Sequence, residues 1–90
     1  MRVAMPPPDT DAETIALQAL AHIAGDADLG PRFLDLTGLD VATLRARAGE
    51  RDVLAAALAF LAGHEPSLVA AAHALGVRPE VLARAQATLA

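Results

Sequence analysis

The chain predicts an all-α fold: a small bundle of about six short helices, written as two tandem three-helix repeats. Three observations carry that prediction. No stretch alternates apolar and polar residues as a half-buried strand would. Single glycines and prolines punctuate the chain at helix-length intervals, reading as stops and starts. The sequence also echoes itself at a fixed offset of thirty-eight residues, where Ala19-Leu20-Ala21-His22-Ile23-Ala24-Gly25 falls on Ala57-Leu58-Ala59-Phe60-Leu61-Ala62-Gly63. The same offset places Gly38-Leu39 on Gly76-Val77 and Leu44 on Leu82.

The elements follow in order. Residues 1–9 read as a flexible arm, since Pro6, Pro7 and Pro8 favour an extended conformation without internal hydrogen bonds. Thr10 and Glu13 form a capping box that opens a first helix running to about Ala24. Ile15, Ala19, Leu20 and Ile23 share its inner face, and Gly25 is expected to end it in the left-handed conformation. Residues 26–31 read as a turn, with Asp28 as N-cap of a short second helix that turns Phe33, Leu34 and Leu36 inward. Thr37-Gly38-Leu39 reads as a Schellman end. Asp40 then caps a third helix over 41–48, anchored by Leu44, with Arg45 and Arg47 near its negative end.

The second unit follows the same plan. Asp52 is the expected cap of the central helix, which carries the longest apolar run, Val53 to Gly63. Pro66 suits the first turn of a helix ending near Leu75. Pro79 opens the last helix, whose inner residues are Val81, Leu82, Ala85 and Leu89. Residues 10–90 thus form one helical domain, with repeats at about 12–48 and 51–89. The first and fourth helices are expected at its centre.

Composition limits what such a domain can do. Twenty-three of the ninety residues are alanine and two are aromatic, so each helix offers a thin apolar seam. Cysteine is absent, which removes disulfides and thiolate metal sites. Basic residues are seven arginines and no lysine, which beside so much alanine suggests a GC-rich bacterial genome. The net charge is −4 and uneven: residues 9–40 hold seven acids and one arginine, which disfavours phosphate-backbone binding there. No targeting segment is visible, and the apolar part of the central helix is about half of the roughly 20 residues a bilayer crossing requires. A soluble, cytoplasmic protein is the expectation, with no membrane partner.

Reactive constellations are missing. His22, His64 and His73 show no metal-ligand spacing, and His22 aligns with Phe60 in the other repeat. Asp26 and Asp28 resemble the start of a calcium loop, but the later acidic ligands are lacking. Ser67, the one serine, has no nucleophile-elbow context. Neither a catalytic residue, a metal ligand nor a cofactor site is predicted. The sharpest look-alike is residues 72–85, whose Leu75-Gly76-Val77 turn between short helices reads like a helix-turn-helix. Its recognition surface would rest on Arg78 and Arg84 against an opposing Glu80, a poor positive stripe for DNA.

The run Arg32-Phe33-Leu34-Asp35-Leu36-Thr37-Gly38-Leu39-Asp40, then Leu44-Arg45-Ala46-Arg47-Ala48, then Leu58-Ala59-Phe60-Leu61, resembles a small alphaproteobacterial family, DUF3572. The resemblance covers roughly residues 12 to 89. It implies a short, free-standing bacterial protein and supplies no catalytic residues. The functional expectation is a non-enzymatic helical module that docks onto a protein partner or onto itself. Arg32, Asp35, Arg45 and Arg47 are its candidate contact residues, with Leu36 and Leu44 in the core. DNA binding through residues 66–90 is the alternative.

Overall fold

The computed structural model describes residues 8–90, with side chains from residue 11 onward. Six α-helices follow in order: α1 (Pro8–Gly25), α2 (Leu29–Thr37), α3 (Val41–Arg47), α4 (Arg51–Ala62), α5 (Glu65–Leu75) and α6 (Pro79–Leu89). No strand occurs among the described residues. Most of the arm predicted over 1–9 lies outside them, but Pro8 and Asp9 already belong to α1. A proline loses no intrahelical bond in a first turn, so the helix begins there and Thr10 sits inside it, not at the cap.

Three helices make the centre. Each of α1, α4 and α6 packs extensively on the other two, and α5 lies across all three. Alanine permits this closeness: Ala16, Ala19, Ala57 and Ala71 have no exposed surface. Between these small contacts sit the large side chains Ile23, Leu54, Leu58, Leu61 and Leu82, all fully buried. Removing such side chains from water is worth about 1.5–3 kcal/mol each. At one end the Arg51 guanidinium donates to the Thr88 carbonyl at 2.8 Å, tying the start of α4 to the last turn of α6.

The turns show which sequence signals held. Gly38 and Gly76 are the residues with positive φ among those described, at 74° and 72°. Both end helices in the left-handed conformation, but by different bonds. At Gly76, the Val77 amide donates to the Ala72 carbonyl and the Gly76 amide to that of His73, a Schellman motif. At Gly38, a single bond runs to the Leu34 carbonyl at 2.8 Å, while the Leu39 amide donates to Thr37 Oγ1. The expected Schellman end is therefore the simpler αL cap. Thr37 Oγ1, which itself donates to the Phe33 carbonyl at 2.9 Å, takes the amide that would have closed the wider ring. Gly25 is not left-handed; α1 closes with the Asp26 amide donating to the Ile23 carbonyl.

The caps shift similarly. Asp28 has helical backbone angles and makes no capping bond. Asp26 does that work: its Oδ1 accepts from the Asp28 and Leu29 amides, each at 2.9 Å. Asp40 caps α3 as expected, accepting from the Thr43 amide at 2.7 Å. Asp52 is not the cap of α4. Glu50 occupies that position, and Asp52 lies in the first turn, accepting from the Val53 amide.

Leu36 departs furthest from expectation: it was placed inward and is 70% exposed. The helix starts at Leu29, so its buried stripe is Leu29, Gly30 and Phe33. Gly30 sets that stripe. A Cβ there would stand 3.3 Å from the Ile23 carbonyl oxygen and 3.4 Å from that of Ala24, so α2 lies directly on the end of α1. Leu36 then falls on the flank.

The trio α4, α5 and α6 closes on itself, whereas α3 packs little on α1 or α2, so the two trios do not pack as copies of one unit.

Two predictions follow from the turns and caps. Gly76→Ala should cost about 1 kcal/mol of stability, because a side chain is strained at positive φ, while Gly49→Ala, with open space around it, should cost nothing; urea melts compare them. The amides of Leu29 and then Asp28 hold the Asp26 carboxyl below its ordinary 3.8. Thr43 does the same for Asp40. A lowered folded value makes their stabilisation complete above pH 3.8 and lost as pH falls through the lower folded values. Replacing both with Asn should flatten the acid limb of stability against pH; an unchanged limb would refute these caps.

Candidate interaction face

A surface groove lies where α2 meets the corner between α4 and α5. The chain turns through 115° from α4 to α5. That bend brings the end of α4 and the start of α5 alongside α2. The groove between them has a volume of about 570 Å³ and is lined by Leu29, Arg32, Asp35, Leu36, Phe60 and Ser67, with Ala59, Gly63 and His64 at the corner. Its floor is fixed by Phe60, whose ring meets Phe33 edge to face at 5.4 Å and 70°. Such pairs add about 0.5–1.5 kcal/mol beyond area burial, so α2 is held to α4 through its aromatic residue.

The walls are polar. Arg32 and Asp35 both line the groove, as the sequence reading grouped them, and both are exposed. Arg32 reaches Asp28 at 3.3 Å, a surface pair one helical turn back. Asp35 makes no ion pair among the described residues. Leu36 stands beside them, an apolar side chain in water at the end of a helix stopped by Gly38. Sequence reasoning missed Leu36 and Phe60 as surface features because both looked like core.

One further contact was not legible. His64 Nδ1 and Ser67 Oγ lie 2.7 Å apart at the start of α5. The pair has a base and a hydroxyl, but no carboxylate orients the imidazole among the described residues, as a hydrolytic triad requires. Elsewhere, His22 lines a shallow site with Gln18 and Leu75, and His73 another with Val69. No cluster of three His, Asp or Glu that could hold a metal occurs among the described residues.

The other candidate residues separate from this face. Arg45 is exposed on α3 and makes no ion pair among the described residues. Arg47 was expected on the open surface and is instead half-buried in a clamp. Its Nε donates to Glu50 Oε1 at 2.8 Å and its Nη2 to Asp52 Oδ2 at 2.7 Å. The Glu50 hydrogen bond and charge, followed by Asp52, raise its pKa further above the ordinary arginine value. It lines one small cleft with Phe33, Leu39 and Val53, and its bonds to Glu50 and Asp52 join α3 to α4. Arg78 stands at the N-cap of α6, with a loose 3.9 Å pair to Glu80. Arg84 lines a different groove, between α6 and α1, which it shares with Asp11. No single helix among the described residues is long and apolar enough to cross a membrane.

A family model described as "Protein of unknown function (DUF3572)" matches residues 9–90. The chain belongs to this family. No curated protein and no solved structure matches it.

In this DUF3572 protein, α3 depends on Leu44 and the Arg47 clamp for its position. Arg47→Ala should speed hydrogen exchange of the α3 amides several-fold and leave those of α1 and α6 unchanged. Equal acceleration in all helices would mean that Arg47 supports the whole fold and not the α3 junction.

Proposed function

We propose that this protein is a non-enzymatic helical interaction module, docking a protein partner through the face built by α2 and the α4–α5 corner. The observation that carries the reading is Leu36, 70% exposed beside a groove floored by Phe60. An apolar side chain of that size costs free energy in water and regains it when covered. Arg32 and Asp35 rim the same groove, the arrangement of an apolar centre with a polar edge that interfaces use. Arg45 is exposed on α3 and lies outside this groove. Arg47 is committed to its clamp and contributes through the position of α3.

A DNA role through Arg78 and Arg84 draws less support. Arg84 shares its groove with an acidic residue, and Arg78 already faces Glu80.

Capture of partners from the native cell with tagged protein tests the proposal. Leu36→Glu should remove the specific partner while changing stability by no more than about 0.5 kcal/mol, as an exposed site allows. Arg84→Glu, on a different groove, should leave it bound. An identical partner set for both variants and the parent would sink the assignment of this face. Salt-sensitive affinity for random duplex DNA, lost in an Arg78→Glu and Arg84→Glu double variant, would favour the alternative.

A further inference from the structure

We propose that the α2 face pairs two copies of this chain about a two-fold axis; the inference rests on the interaction-module reading above and names its partner. An interface between identical chains must be self-complementary: whatever residue i offers, residue j on the same patch must accept. The α2 face meets that condition in charge and in shape. Arg32 and Asp35 carry opposite charges, lie one turn apart on the helix, and line the same groove. When two α2 helices run antiparallel about an axis passing between these residues, each guanidinium meets the other copy's carboxylate, and the pair forms twice. Asp35 makes no ion pair among the described residues, and Arg32 is engaged only by an exposed contact to Asp28 at 3.3 Å, so both can exchange into such a pair.

Shape follows the same rule. Leu36 projects from the patch, and the adjoining groove, with Leu29 and Phe60 at its base, is a recess on the same patch. In the antiparallel arrangement Leu36 of one copy lies toward the N-terminal end of the other copy's α2, over that recess. A foreign partner would need its own acid, base and apolar knob in matching order. A second copy supplies all three by symmetry. The helix has nine residues, so the contact is small and the dimer is governed by concentration.

Sedimentation equilibrium on the full chain over a concentration series reads the result. The parent should shift from monomer to dimer as concentration rises. R32E and D35R should each weaken association about tenfold or more, because like charges then face each other across the axis. Mixing R32E with D35R should restore a mixed dimer, since each carries what the other lacks, and the R32E/D35R double variant should pair with itself. L36E should remain monomeric with an unchanged melting temperature. A parent chain that stays monomeric up to about 1 mM, the range of the weakest transient contacts, would overturn the proposal. So would single charge reversals that leave the dimer intact. A monomeric parent that still captures a different protein in a Leu36-dependent way would refute the dimer alone; loss of both would refute the interaction module as well.

Discussion

Helices lined with alanine gain little from each contact, so they are stable together only if their axes come close enough for the remaining large side chains to interlock. Everything in this protein depends on that close approach. Ala16 and Ala19 of α1 and Ala57 of α4 have no exposed surface, and they clear the space in which Ile23, Leu54, Leu58, Leu61 and Leu82 meet. Gly30 extends the same logic to α2, whose backbone rests against the last carbonyls of α1. A core made this way is dense and narrow. It holds few large apolar residues, and some that it cannot accommodate end up on the surface.

That consequence explains how much of the site was legible. The helices, their order, the two left-handed glycines, the Asp40 cap and the Pro79 start all depend on a few neighbouring residues, and local signals announce them. The expectations that failed depend on rotation of a helix about its axis. Reading residues 26–31 as a turn, with Asp28 as N-cap, left Leu29 and Gly30 out of the inward stripe, which was assigned to Phe33, Leu34 and Leu36. With the helix starting at Leu29, the stripe moves to Leu29, Gly30 and Phe33, Leu34 is half-buried, and Leu36 is displaced to the flank. Leaving the first turn of α2 out of the stripe therefore converted an exposed contact residue into a supposed core residue. The cap was assigned to Asp28, whereas Asp26 Oδ1 is the acceptor.

Charge placement was legible in kind and not in partner. Arginines near the end of α3 suit the helix dipole, and on that ground Arg45 and Arg47 look alike. Only the return of the chain into α4 separates them. Glu50 and Asp52 come back within reach of Arg47, which lines one cleft with Phe33 and Val53. Arg45 faces away and keeps its charge for solvent or a partner. No periodicity within α3 carries that distinction, because it is made by residues of the next helix.

The internal echo shows why two similar trios do not pack alike. At the thirty-eight-residue offset the inner positions of α6, Leu82, Ala85 and Leu89, correspond to Leu44, Arg47 and Arg51. Leu44 and Leu82 are both buried, so the first anchor is kept. The next two positions differ in kind. Alanine and leucine continue the seam that holds α6 against α1 and α4, whereas a guanidinium at either place would be stripped of water without a buried partner. Helix α3 therefore cannot follow the path of α6. It stops after seven residues, turns its arginine to the acids at the start of α4, and leaves the flank of α1 to α6. Two arginines at positions where the second trio continues an apolar seam thus accompany the departure of α3 from the path of α6.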